Sequence, residues 1–462
     1  MALIEILSDF AYNLKYADLS ESLLNNAKLH ILDGIGVGLH ASTLDLFQPV
    51  LKILREMGGR GKATVFGAKI GYPAPFAAFA NGVMLNSSAY QPTHRASLAH
   101  PHAPALSAAL AVGEERAVSG EEFLAALVAS YEVYLRLCTA VSPTQLGRGV
   151  QTTGAMAPFA AAVAAGKLIG LTKDQMKHAL SHAANFGGAG LIEAHGAKPY
   201  FAIQVGPNVW KGILAAMLAQ EGVTGCDTIL EGGSVSQKAF LHAYSDEFKP
   251  NVLTDGLGDS FEILQTGFGM NCVASFSRTP IDATLAVIKE NGIQIEDIKS
   301  MKYRVTKVLH NFVQQRITTA RESAREAYYY IPFSIALALL HGRVDSEMYT
   351  DQNLHDPKIQ EIMKKVQFTQ DPQLDADYAQ SKSVMTSIVE LTTSDGKTYT
   401  KKLNYAKGDP ENLPTKEELQ DKFTRLATKV VSKKTAEKIM DLVDGLETVK
   451  DIRALGKLIR PA

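Results

Sequence analysis

The chain has 462 residues, 46% of them hydrophobic and 21% charged, a composition that excludes a disordered chain and allows about two domains. Its 47 basic and 48 acidic residues leave a net charge of -1 with no basic stripe, so a nucleic-acid partner is not expected. No apolar run reaches the roughly 18 residues of a membrane span, and the start MALIEILSDFAYNL has no basic region of the signal-peptide kind, so no membrane association is expected.

The first part of the chain reads as helical. Leu19 to His40 is an amphipathic helix with Ser20 near its start. Ser119 with Glu122 forms a capping box ahead of FLAALVASYEVYLRLC, and Thr172 with Gln175 repeats it ahead of MKHALSHAAN. Residues 153–170 and 208–221 are rich in Ala and Leu and are expected to be buried on most faces. Glu132 and Arg136, four apart inside an apolar helix, read as a structural ion pair. Three scattered cysteines, Cys138, Cys226 and Cys272, suit a reducing compartment, and a cytoplasmic location is expected.

The pattern changes after about residue 265. Ile281 to Lys289 reads as a helix, and IKSMKYRVTKV alternates like a half-buried strand. MTSIVELTTSDGKTYTKKLNY is two alternating runs around Asp395-Gly396, a hairpin signal. Thr415 with Glu418 caps a further helix, and the chain ends helical. The expected fold is mainly α: a large all-helical domain from 1–264, a smaller inserted α+β lid domain at 265–405, and C-terminal helices at 406–462 that return to the helical domain.

The densest set of chemically capable residues is AYQPTHRASLAHPHAP, residues 89–104. It contains His94, Arg95, His100 and His102 and no Asp or Glu, so its donors can converge on an anion without a competing carboxylate. Histidine titrates near neutrality and suits proton transfer. The competing reading is a solvated loop whose histidines are satisfied locally. His100-x-His102 has no nearby carboxylate or cysteine to complete a metal site, so no metal is expected. GAKPYFAIQVG, residues 196–206, supplies Lys198, with His195 and Tyr200 beside it. NFGGAG at 185–190 has no preceding strand and reads as a close-packed turn, and no dinucleotide motif is present, so no cofactor is expected.

Four segments, in chain order, carry a resemblance: ANGVMLNSSAYQPTH at 80–94, GVTGCDTILEG, AYYYIPFSIALALLHG, and GDPENLPTKEELQDKF at 408–423. Together they resemble the MmgE/PrpD family, which includes 2-methylcitrate dehydratase, cis-aconitate decarboxylase and iminodisuccinate epimerase. The resemblance implies a homodimer and a cleft between the helical domain and the lid. It also implies chemistry beside a carboxylate of a small di- or tricarboxylic acid, without metal or organic cofactor. Carried over by position, His100 and Lys198 are the expected catalytic residues, with His94 as second choice. Thr93, Arg95, Gln151, Tyr200 and Arg278 are the expected substrate-binding residues.

The chain also departs from the family pattern. Where a decarboxylase-type loop reads Asp-Phe-Asp-Asp-Thr, this one reads Ala89-Tyr90-Gln91-Pro92-Thr93. A family His is matched by Gln151, a Lys by Gly269, and a Thr-His pair by Ser277-Arg278, with Arg278, Arg148 or His102 as substitutes for the missing groups. Three readings follow: a dehydratase-type lyase, an epimerase of a dicarboxylate, and a relative that only binds a carboxylate. An epimerase needs no acid for a leaving group, so the thinner ionisable set keeps it as a rival.

Overall fold

Capping residues start the helices where the sequence puts them. Ser20 Oγ accepts from the Leu23 amide at 3.3 Å and opens Glu21–Ala41. Ser119 and Glu122 exchange bonds of 3.2 and 2.7 Å ahead of Gly120–Val141. Thr172 with Gln175, and Thr415 with Glu418, do the same for Lys173–Phe186 and Lys416–Ala427. The computed structural model describes residues 1–188, 190–196, 202–317, 323–324, 327–379 and 383–461. It divides into two compact units, Met1–Gly267 with Thr415–Ala462, and Phe268–Pro414. The architecture is mostly helical with one small mixed sheet, the mainly α class the sequence implied.

In the larger unit the Ala-rich helix Ala157–Leu168 is central, with nearly every residue buried. Gly120–Val141, Lys173–Phe186 and Val205–Gln220 pack around it. Gly120–Val141 does have the length and apolar composition of a membrane span, but 94% of its apolar window is buried, so that surface is spent on the core. Arg136 and Glu132 are paired at 2.5 Å on this helix, as expected. The remaining donors of Arg136 reach the Val252 and Asp255 carbonyls at 2.8 and 2.7 Å, which satisfies the buried cation. Gly34 lets Glu21–Ala41 come close to the segment after His100: a Cβ there would lie 2.3 Å from Leu106 Cδ2 and 3.4 Å from His102 Nδ1.

In the smaller unit the strands run in the order Val366–Gln370, Ile298–Val305, Ser387–Thr393, Thr398–Leu403. The first pair is parallel and the others antiparallel. Ile298–Val305 buries Met301, Tyr303 and Val305 on one face, the alternation read from the sequence. The Asp395-Gly396 hairpin forms, and Gly396 takes φ 84°, a left-handed turn conformation suited to glycine. Strand Val366–Gln370 was not anticipated, since VQFTQ is short and has no turn signal. The unit also runs on to Pro414 and not 405. Two bonds tie 406–412 to it: Phe268 N–H donates to Gly408 O at 2.7 Å, and Lys407 N–H donates to Asp282 Oδ2 at 2.7 Å.

Candidate active site

The His100 loop is fastened to the larger unit at several points. Thr93–His94 pairs antiparallel with Thr266–Gly267, and His94 N–H donates to Ala99 O at 2.9 Å, folding the loop back on itself. Thr152 Oγ1 donates to Ser97 O at 3.1 Å, and His100 N–H donates to Thr153 Oγ1 at 3.0 Å. Leu98, two residues before His100, has φ 55°, a conformation that costs an ordinary L residue about 1–2 kcal/mol and persists where surrounding bonds hold it.

His100 is half-buried, and its Nδ1 lies 2.7 Å from the Pro92 carbonyl oxygen. A carbonyl can only accept, so Nδ1 carries the proton, and in the neutral ring the basic lone pair is on Nε2. Thr93 Oγ1 is 3.4 Å from the same Nδ1, and the residue is buried. The loop thus presents a histidine with a fixed tautomer, the arrangement a proton-transfer group needs.

His94 sits differently. It is fully buried, with Nδ1 2.8 Å from Ser97 Oγ and Nε2 2.8 Å from Glu262 Oε2. Burial pushes the Glu262 carboxyl up, but the His94 bond and charge, with Arg136, outweigh it and hold the group below its ordinary value. The Glu262 amide donates to Glu132 Oε2 at 2.7 Å, so Arg136, Glu132, Glu262, His94 and Ser97 form one connected network. Both ring nitrogens of His94 are engaged inside it, which makes the residue a brace for the loop.

Arg95 is partly exposed on the loop. Gln151 is buried and caps the short helix Thr152–Ala155, its Oε1 accepting from the Gly154 amide at 2.9 Å and facing Gln204 Nε2 at 3.4 Å. Arg148 binds Asp246 and the His242 and Ala243 carbonyls, at 3.0 and 2.6 Å for the latter two, so its fork is committed there. Arg278 opens Arg278–Asn291 in the smaller unit and is buried. Burial raises the nearby Asp282 carboxyl to about 6, against the Lys407 amide bond and the Arg278 and Lys407 charges. Lys198 and Tyr200 lie outside the described residues.

His102 turns its two ring nitrogens to the helix Glu21–Ala41. It is buried, with Nε2 3.3 Å from His30 Nδ1 and Nδ1 3.9 Å from Asp33 Oδ2. Burial, then the His30, Lys422 and His100 charges, drives its pKa well below the ordinary histidine range. Burial likewise lowers His30 to about 3. Asp33 pairs with Lys422, both buried. Sequence reading missed Asp33, His30, Lys422 and Glu262. The one available signal was an aspartate inside the apolar run ILDGIGVG, where only a paired carboxylate can sit. Among the described residues, no group of three or more His, Cys, Asp or Glu is placed to hold a metal ion.

A two-unit fold, helical with an inserted α+β piece, and a histidine loop braced to the helical core define the class. The MmgE/PrpD N-terminal domain matches residues 5–252 and the MmgE/PrpD C-terminal domain matches 272–448, so the chain belongs to the MmgE/PrpD family. It is 25% identical over 475 residues to cis-aconitate decarboxylase of Mus musculus, covering 100% of this chain and 94% of that protein. It is 26% identical over 480 residues to cis-aconitate decarboxylase of Homo sapiens, covering 100% and 95%. A shorter match, 26% over 110 residues, covers 24% of this chain and 21% of the mitochondrial 2-methylcitrate dehydratase of Yarrowia lipolytica. All three relatives are lyases by name, and the expectation of an enzyme of lyase type stands on them.

Proposed function

We propose that this chain is a cofactor-independent lyase acting on a small tricarboxylic acid of the cis-aconitate or 2-methylcitrate kind. The observation that carries the reading is the fixed tautomer of His100, whose Nδ1–H is held by the Pro92 carbonyl at 2.7 Å while Nε2 carries the lone pair. In a dehydration, Nε2 takes the proton from the carbon beside a carboxylate, the electron pair forms the alkene, and the hydroxyl leaves as water with a proton taken from solvent. In a decarboxylation, a C–C bond breaks, carbon dioxide leaves, and Nε2, having first taken up a proton from solvent, passes it to the carbon that keeps the electron pair. Either path develops negative charge next to a carboxylate, which cations stabilise. Lys198 and Arg95 are the cations assigned to that task, Lys198 by its family position. The working form is a homodimer in the cytoplasm, and no metal takes part.

Gln151 supports a second reading. It stands where the family has a histidine, and its side-chain oxygen is used to cap Thr152–Ala155. An epimerase of a dicarboxylate returns the proton to the opposite face and does without a leaving-group acid, so this loss would not disable it. The test is turnover of cis-aconitate and 2-methylcitrate by the parent and by His100→Gln. The lyase reading expects product from at least one acid and a kcat lower by about 10²–10⁴ in the variant, with KM little changed. A His100→Gln enzyme with parental kcat removes His100 from the chemistry.

A further inference from the structure

We propose that Lys422 and Asp33 are positioning residues for His100, a buried ion pair that anchors the start of the loop 89–104 through the Tyr90 carbonyl. Lys422 lies on Lys416–Ala427 and Asp33 on Glu21–Ala41, and each side chain is 1% exposed. Lys422 Nζ donates to Asp33 Oδ1 at 2.5 Å and to the Tyr90 carbonyl at 3.2 Å. Tyr90 is near the start of the loop. At its other end, Asp33 Oδ2 faces His102 Nδ1 at 3.9 Å, and His102 meets His30 at 3.3 Å. His100 lies between the anchored Tyr90 and His102, which packs beside the pair at a distance too long for a hydrogen bond.

A buried ion pair is weak evidence for stability, because desolvation offsets most of the attraction. Its second bond is more telling, since the cation reaches the backbone of the loop itself. Tyr90 is held further by its ring and hydroxyl. Lys422 and Arg425 lie 5.5 and 5.7 Å from the ring centroid, and Arg425 Nη1 donates to the hydroxyl at 3.3 Å. His40 meets the same ring edge-on at 5.4 Å. The charged and titratable groups around the pair are thus His30 and His40 from one helix, Arg425 from the other, and His100 and His102 from the loop. Tyr131 completes the set from Gly120–Val141, its buried hydroxyl without a hydrogen-bond partner. Burial holds His30 and His102 below the ordinary histidine range, so Lys422–Asp33 and Arg425 supply the fixed charge around Tyr90.

The turnover part of the test rests on the lyase reading; hydrogen exchange does not. Asp33→Leu/Lys422→Met replaces the pair with apolar groups, an exchange a fold commonly tolerates, and removes the donor to Tyr90. The latch expects near-parental melting, exchange in peptides covering 89–100 faster by about tenfold or more, and kcat lower by about tenfold at similar KM. Asp33→Asn/Lys422→Gln keeps a donor and an acceptor in place, and its loop exchange should stay within about threefold of the parent. Parental loop exchange in a folded apolar double variant overturns the proposal, whatever its activity. Loop exchange in the Asn/Gln variant as fast as in the apolar one overturns it too, and decides the matter if the apolar variant does not fold. A parent without turnover on any acid sinks the lyase reading alone and leaves the exchange result to decide the latch.

Discussion

His94 and His100 are six positions apart on one loop, yet their surroundings give them different work. His94 is enclosed, with Ser97 on one nitrogen and Glu262 on the other. His100 has its Nδ1 fixed by a carbonyl and remains half-buried. His94→Ala should therefore act on the fold. It leaves Glu262 without its partner and should lower stability by about 1–3 kcal/mol in denaturant titration. The folded fraction should show the same pH–rate profile for kcat/KM as the parent. A His94→Ala protein of parental stability but with no turnover would place His94 in the chemistry instead. The histidine-rich, acid-free composition of 89–104 was legible in the sequence, whereas this division of labour was not. It depends on Glu262, 168 positions from His94 along the chain.

At the scale of elements, local signals were the legible ones. Capping boxes, the 395–396 turn and the alternation of Ile298–Val305 depend on residues a few positions apart, and each formed as read. Long-range pairings were hidden, as with Asp33 and Lys422, 389 positions apart. The C-terminal segment provides another example. Arg460 Nε donates to Thr64 Oγ1 at 3.1 Å and its Nη2 to the Lys62 carbonyl at 2.7 Å, while Glu114 Oε1 accepts from Thr64 Oγ1 at 2.9 Å. Burial raises the Glu114 carboxyl to about 7, despite the Thr64 bonds and the Arg460 charge, which favour the carboxylate. A folded-state pKa above the unfolded one means that the folded protein binds the extra proton between roughly pH 4.5 and 7. Stability from this group is therefore present at pH 4.5 and below, declines as pH rises toward 7, and is flat above. The decline should be about 1–3 kcal/mol. Thermal melts from pH 4.5 to 8 should show a shallower loss in Glu114→Gln than in the parent. An unchanged slope would mean that Glu114 is already ionised across this range.

At the scale of the whole molecule, the class of fold was read from the order of helical and alternating segments, and the family from four ordered stretches that the N- and C-terminal domain matches now contain. The position of the second domain boundary was not legible, because long-range bonds tie Lys407 to the Asp282 carboxylate and Gly408 to the Phe268 amide, and neither is a local sequence signal. The proposed metal-free reading expects activity to survive exhaustive chelation and dialysis unchanged. Activity that disappears and returns only with an added metal would contradict a metal-free lyase.

The most direct test of the lyase reading is proton NMR of the pure protein in heavy water with hydroxylated and unsaturated tricarboxylic acids, cis-aconitate and 2-methylcitrate first. The lyase reading predicts new vinyl proton signals with carbon dioxide release from cis-aconitate, or movement of the 2-methylcitrate methyl signal to the allylic region as a fully substituted alkene forms, and loss of either change in His100→Gln. Exchange of the proton beside a carboxylate for deuterium, with no new alkene and no carbon dioxide from any of the acids, would contradict it and point to an epimerase.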